Sequence, residues 1–276
     1  MKRVATVLLI TGLLIAIVLA GFSVFYQKKV NILVFGVEGT RTDSMILVSI
    51  DTKSNTINAM SIPRDTYFPT EGHNKLGQKK LNARYGFKDV GGADGLRQAI
   101  QDLTGVKVDH YVKLDYDAVA AIVDMLGGVE VDVPFKMKYD DPYATPPLHI
   151  DFEPGLQVIS GDKAMGYLRF RKSNDGKVRE GDVQRIERQQ AFLSSAADKA
   201  LSVKLPFIAV ESLKYVETDM TSSQIFSYAS AMIGTDMEKV TFYTLPMKSI
   251  GTGKDGLSYF YHDQDETNKL MQEAFK

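Results

Sequence analysis

Two apolar runs, Val30-Asn31-Ile32-Leu33-Val34-Phe35-Gly36 and Met45-Ile46-Leu47-Val48-Ser49-Ile50-Asp51, flank a short polar stretch. Both are near-continuously apolar, which predicts strands covered on both faces by helices. A third run, Thr56–Ile62, alternates like a strand with one buried face and stops at Pro63, which has no N–H for a ladder. Covering helices follow in order. Ala93–Gly105 sets Leu96, Ile100 and Leu103 on one face and closes on Gly105; Tyr116–Gly128 is a second apolar-faced helix closed by glycines. A helix capped by Ser160 carries Ala164, Tyr167 and Leu168, and the longest runs from a capping Asp182 to about Ser202. Two more fall around Pro206–Tyr215 and Ser222–Ile233, and a last one near Glu266–Phe275. Further strands are expected at Val108–Asp115, Val129–Val133 and Lys239–Pro246, whereas Phe135–Gly155, rich in Pro, Asp and Tyr, reads as a long loop or edge excursion. The composition does not break anywhere, so the expectation is one α/β domain with a central mixed β-sheet flanked by helices.

A separate signal stands at the N-terminus. After Met1-Lys2-Arg3, the run Val4–Tyr26 holds no charge and ends at Gln27-Lys28-Lys29. At 1.5 Å per residue it spans roughly 34 Å, enough for a hydrocarbon core of about 30 Å. Val18-Leu19-Ala20 resembles a signal-peptidase site, but the apolar run continues past it, which favours an uncleaved single-pass anchor. The expected division is 1–3 cytoplasmic, 4–26 transmembrane and 27–276 extracytoplasmic. Lys2 and Arg3 keep the N-terminus inside, while Lys28 and Lys29 weaken the bias.

Composition excludes several classes. The 276 residues carry a formal charge of −1 with both signs mixed, unlike the basic excess of a nucleic-acid binder. Cysteine is absent, which removes disulfides, thiolate metal sites and a cysteine nucleophile. There is no phosphate-binding glycine loop, no G-x-S-x-G and no H-E-x-x-H, and His73, His110, His149 and His262 are scattered.

What remains is a set of arginines and carboxylates at element ends. The turn Gly36–Met45 holds Glu38, Arg41 and Asp43. Two carboxylates on a short turn suit a hard cation such as Mg²⁺ that leaves room for substrate phosphate, although acidic turns are also common on surfaces. Arg64 and Asp65 follow Pro63 at a strand end, where α/β proteins place ligands, or else form a surface salt bridge there. Arg169 and Arg171 leave an extended segment on the same side and match the fork geometry of a phosphate or pyrophosphate; a solvated basic stretch with Lys172 and Lys177 is the alternative. In Gly181–Phe192, Arg185 falls in the first helical turn and Gln189 one turn on. An arginine there opposes the helix dipole, a local conflict expected at functional sites. Arg188 could equally be a plain surface residue. Together these groups would make a cationic site that favours the charge developing on a leaving phosphate.

Asn31–Asp51, Ser61-Ile62-Pro63-Arg64-Asp65-Thr66-Tyr67-Phe68, Leu168-Arg169-Phe170-Arg171-Lys172 and Gly181–Gln190 resemble the LytR-CpsA-Psr family of Gram-positive envelope proteins. The resemblance spans about Asn31 to Leu201. It implies a single-pass cell-membrane protein whose extracytoplasmic α/β domain transfers teichoic acid or capsule polymer from an undecaprenyl-pyrophosphate carrier to peptidoglycan, with Mg²⁺. It also implies roles for single residues. Asp43 would bind metal, with Glu38 as second carboxylate where many members have Asp. Arg41, Arg64, Arg169, Arg171, Arg185 and Gln189 would bind pyrophosphate, and Asp43, Arg64 and Arg185 would carry catalysis. Asp65 would orient Arg64 rather than act as a base, and Asp43 and Asp182 are the candidate bases. The helix after Tyr116 and the long helix could wall a groove for the lipid, or serve only as core. A lipid-pyrophosphate hydrolase and a non-catalytic polyprenyl-phosphate-binding scaffold are the competing readings; nucleic acid is not an expected partner.

Overall fold

The computed structural model describes residues 29–144 and 147–276. The anchor expected over Val4–Tyr26 lies outside the described residues. Among those, no helix is long and apolar enough to cross a membrane.

Three strands, β1 (Lys29–Glu38), β2 (Arg41–Asp51) and β3 (Thr56–Ser61), form an antiparallel meander. The chain then crosses through α1 (Gly92–Thr104) and returns as β4 (His110–Leu114), parallel to β1. The helix α2 (Tyr116–Met125) follows. Four short strands come next: β5 (Val129–Val133), β6 (Met137–Asp141), β7 (Leu148–Phe152) and β8 (Gly155–Ile159). They pair as β5 with β8 and β6 with β7, apart from the main sheet. Three helices, α3 (Gly161–Arg169), α4 (Asp182–Ala200) and α5 (Leu205–Glu211), lead to the edge strand β9 (Glu217–Thr218). After α6 (Ser222–Ala231), β10 (Val240–Thr244) joins β3 in parallel. The hairpin of β11 (Met247–Thr252) and β12 (Ser258–His262) precedes α7 (Gln264–Leu270) and a last turn, Met271–Phe275. The central sheet is therefore mixed, six strands in the order β10-β3-β2-β1-β4-β9.

The unbroken apolar character of β1 has a direct cause. Leu33 and Phe35 pack on one face with Met45, Leu47, Met60 and the Leu96, Ile100 and Leu103 stripe of α1. Val30 and Ile32, on the other face, pack with Met220 and Tyr228. Each such buried side chain contributes about 1.5–3 kcal/mol. The α1 stripe ends where Gly105 takes φ +66°, the left-handed conformation that closes a helix. The C-terminal turn seals the base of the sheet. Phe275 is buried, its carbonyl accepts from Asn31 Nδ2 at 3.3 Å, and that of Ala274 accepts from Asn58 Nδ2 at 2.9 Å.

Three expectations require correction. Phe135–Gly155 is not a long loop: it contains β6 and β7, and Met137, Ile150 and Phe152 bury into a second core with Val129, Val131, Val133, Tyr167, Phe170 and Phe192. The period-two pattern was hidden by the prolines between the strands and by Asp140, Asp141 and Asp151 within them. Ser160 occupies the cap position of α3 but its hydroxyl turns to Asp162 instead of a helix N–H. Gly181, not Asp182, caps α4, and Asp182 is its first residue.

Direction matters most for function. Because β1, β3, β4 and β10 all run the same way, their C-terminal ends share one edge of the sheet with the β1–β2 turn. That edge is where α/β folds gather ligands.

Candidate functional site

The β1–β2 turn is shaped by backbone first. Gly39 takes φ +61°, and the register slips between Gly36 and Val37, so that Gly36 faces Ser44 and Val37 faces Thr42. Asp43 is the extra residue of this bulge. Bulges re-aim side chains, and here the side chain meets Arg64: Nη1 donates to Asp43 Oδ1 at 2.8 Å. The segment after β3 turns sharply, with Thr66 N and Oγ1 both donating to Pro63 O at 3.0 and 2.6 Å. From the far end of the chain, β12 holds that turn: Phe260 N donates to Asp65 O and Tyr67 N to Phe260 O.

The sequence-based pairing of Arg64 with Asp65 is therefore corrected. Asp43 takes Arg64, while Asp65 accepts from Lys80 Nζ at 2.9 Å. Arg41 is held by a third element. Its Nη1 donates to Asn82 Oδ1 at 3.1 Å and Gly77 O at 3.2 Å. Gly77 has φ +73°, and a Cβ there would lie 3.1 Å from Arg41 Nη2, so both backbone shape and the guanidinium require glycine. Asn82 belongs to the 3₁₀ turn Leu81–Gly86, and Gly86 lets Thr40 approach so closely that a Cβ would stand 2.4 Å from its carbonyl oxygen.

Arg41, Asp43 and Arg64, with Asp65, Lys80, Asn82, Gly77 and two leucines, Leu76 and Leu257, enclose a cavity of about 400 Å³. Three cations face two carboxylates, and the side chains of Arg64 and Asp43 remain 42% and 33% exposed, so both reach solvent and a ligand. Such a wall suits a phosphate: the guanidiniums give directed forks and the carboxylates offer hard oxygen donors. Lys80, Asn82 and Leu257 were not singled out from the sequence. Lys80 and Asn82 carry no motif, and Leu257 arrives from almost two hundred residues away.

The second group of expected residues stands at the same sheet edge but outside that wall. Arg169 ends α3, its guanidinium 4.9 Å from the ring centre of Tyr116, the first residue of α2 after β4. Arg171 follows in extended chain, its carbonyl accepting from Glu180 N at 2.9 Å. Arg185 lies in the first turn of α4, its N–H bonded to Gly181 O. Gln189 Nε2 donates to Leu168 O at 3.0 Å. Gln190 Nε2 reaches Thr244 Oγ1 at 3.2 Å, and Thr244 pairs with Ser61, so α4 docks beside the strand that presents Arg64. Arg188, open as a surface residue from sequence, is instead buried. Lys113 Nζ donates to Glu217 at 2.8 Å, and hydrogen bonding to Glu217 and then to Tyr85 raises its pKa.

Glu38 closes β1 opposite Arg41 in the register. Among the described residues, no three His, Asp or Glu side chains gather as a metal cage. Mg²⁺ needs less: one or two carboxylates and substrate phosphate oxygens. Asp43 and Asp65, both on the cavity wall, meet that requirement in donor chemistry.

A family model, the LytR_cpsA_psr family, matches residues 20–276. The chain belongs to this family. Among LytR-CpsA-Psr relatives, it is similar to the polyisoprenyl-teichoic acid–peptidoglycan teichoic acid transferase TagV of Bacillus subtilis, 27% identical over 261 residues, 89% of this chain and 64% of the relative. The cell wall biosynthesis protein LcpA of Corynebacterium glutamicum is 30% identical over 268 residues, 86% of this chain and 49% of LcpA. The chain thus spans about half to two-thirds of these relatives' lengths. The crystal structure of B. subtilis TagV superposes with a TM-score of 0.73 at 28% identity, covering 90% of this chain and 97% of that one.

Proposed function

We propose that this LytR-CpsA-Psr protein is a phosphotransferase that moves an anionic glycopolymer, of teichoic acid or capsule type, from an undecaprenyl-pyrophosphate carrier to peptidoglycan. The observation that carries the reading is the Arg64–Asp43 pair with Arg41, three side chains converging on one cavity at the C-terminal edge of the sheet. The name and activity of TagV support it, since this chain matches that relative over most of its own length.

An acceptor hydroxyl attacks the sugar-linked phosphorus. The new P–O bond forms as the bond to the bridging oxygen breaks, and polyprenyl phosphate leaves with the electron pair. The hydroxyl proton passes to a carboxylate or to water. Arg64 and Arg41 bind the two phosphates and offset the charge gathering on the leaving oxygen, which makes catalysis a matter of positioning and electrostatics. Asp43 fixes the Arg64 guanidinium, and Asn82 and Gly77 fix that of Arg41. Arg169, Arg171 and Arg185 complete the anion site from the α3–α4 side. Asp43, with Glu38 or Asp65 as second carboxylate, would hold Mg²⁺, which would supply positive charge to neutralise the phosphates. An anchor over Val4–Tyr26 would keep the domain at the outer face of the cell membrane, beside its lipid-borne substrate.

The test uses the full chain in detergent with Mg²⁺, a labelled polyprenyl-pyrophosphate glycan and peptidoglycan oligomers. Transfer of label that is lost in Arg64→Ala and Asp43→Ala supports the proposal. Release of free glycan phosphate with no transfer makes the protein a hydrolase, and lipid binding without turnover makes it a scaffold; either result refutes it.

A further inference from the structure

The most completely buried ion pair described lies outside the cavity. Arg188 of α4 and Glu180, just before that helix, have side chains only 4% and 2% exposed. The guanidinium meets the carboxylate fork to fork: Nε donates to Oε1 at 2.8 Å and Nη2 to Oε2 at 2.7 Å. The remaining donors do not go to side chains. Nη2 also donates to Phe170 O at 3.0 Å, and Nη1 donates to Tyr167 O. These carbonyls belong to the end of α3, where the last turn of any helix leaves its acceptors unsatisfied and its dipole negative. A cation buried against them satisfies both. The same guanidinium stacks on the ring of Tyr167, 4.9 Å from its centre.

The carbonyls chosen flank Arg169 and end next to Arg171. Arg188 takes Tyr167 O and Phe170 O, and its neighbour Gln189 takes Leu168 O at 3.0 Å. Arg169 and Arg171 lie within and beside that stretch. Glu180, the other half of the pair, bonds through its own N–H to Arg171 O at 2.9 Å, and the strand-like pairing continues through Lys172 with Arg179 and Ser173 N to Val178 O. One buried salt bridge thus ties both ends of the Arg169–Glu180 excursion to the first turns of α4.

We propose that Arg188, with Glu180, is a positioning residue that sets the backbone of Leu168–Arg171, and hence aims Arg169 and Arg171 at the substrate pyrophosphate. The proposal rests on the transferase reading above. Stability alone does not account for the arrangement. A buried ion pair is a weak source of stability, and replacing both partners with apolar residues of similar volume is often neutral or stabilising. What apolar residues cannot do is hold the helix-end carbonyls of Tyr167 and Phe170 in a fixed place.

That difference supplies the test. In Arg188→Met/Glu180→Met, neither charge is left buried alone and only the Tyr167 and Phe170 carbonyls lose a donor, so the full chain in detergent should stay folded, with a melting temperature lowered by roughly 4–24 °C. Hydrogen exchange at Phe170, Ser173 and Glu180 should nevertheless accelerate at least tenfold, with α1 unchanged. Affinity for undecaprenyl pyrophosphate should fall about ten- to a hundredfold, the consequence of losing one hydrogen bond to a charged group. Arg188→Lys, which keeps the charge but not the fork, should recover part of the affinity. Unchanged exchange in this segment, or wild-type affinity in the double variant, overturns the proposal. A wild-type protein that binds no undecaprenyl pyrophosphate overturns the transferase reading instead, and the exchange data then decide the positioning role by themselves.

Discussion

The closest backbone approach in the site gives the sharpest prediction. In Gly86→Ala, the new Cβ would stand 2.4 Å from Thr40 O and 2.8 Å from Thr40 Cβ. Ordinary contact begins at 3.4 Å, so about 1 Å must be found, and the obstacle is backbone rather than the tip of a flexible side chain. Gly86 ends the turn that carries Asn82, and Thr40 precedes Arg41, so any relief pulls Arg41 away from Asn82 Oδ1. Strain of this kind costs about 1–3 kcal/mol. For a domain of this size that lowers the melting temperature by roughly 2–12 °C. The functional loss should be larger than the stability loss implies, because a 1 Å misplacement of a binding group can cost about a hundredfold. The assay is transfer of labelled glycan by the full chain, with thermal melting in parallel. Wild-type transfer at an unchanged melting temperature would refute the claim that the Gly86–Thr40 contact fixes the turn.

Three further outcomes are expected. Asp43→Asn should abolish or strongly reduce transfer yet shift stability by no more than about 1 kcal/mol, because its pair with Arg64 is partly exposed and such pairs contribute little; a large drop in urea midpoint would contradict this. Phe275→Ala, which empties a buried site under the sheet, should cost about 3–5 kcal/mol in chemical denaturation while leaving substrate affinity unchanged in the folded fraction; a cost under 1 kcal/mol would show that the C-terminal turn does not seal the core. Burial, aided by its bond to Asp255, pushes the Tyr259 phenol from 10.0 up to about 12, so the native state keeps a proton that the unfolded chain gives up. That stability is whole below pH 10 and is lost as pH rises through 12. The difference in urea midpoint between wild type and Tyr259→Phe should therefore narrow between pH 9.5 and about 11.5; a gap independent of pH would remove this assignment.

Much of the framework was legible in residue order alone. The apolar runs of β1 and β2, the Leu96–Ile100–Leu103 stripe of α1 with its closing Gly105, and the length of α4 follow from local periodicity and cap chemistry, which depend only on neighbours in sequence. The candidates Arg41, Asp43, Arg64, Arg169, Arg171 and Arg185 came from motifs at element ends, and the strand directions bring Arg41, Asp43 and Arg64 to one edge of the sheet. The strands hidden in Phe135–Gly155 were not legible, because the prolines between them and the Asp residues within them masked a short alternation.

Partnership was decided only by the tertiary structure. Asp65 adjoins Arg64 in the chain, yet the turn after Pro63 sends Asp65 to Lys80, while a bulge in another strand delivers Asp43 to Arg64. Arg188 looked like one more polar residue on a polar helix, and became the most deeply buried described cation because the end of α3 arrives beneath it with unsatisfied carbonyls. Residue types and spacing determine which charges a chain owns and which element each one rides on. Which charge meets which depends on strand register, bulges and the crossing of distant elements, and these are settled by packing over the whole molecule.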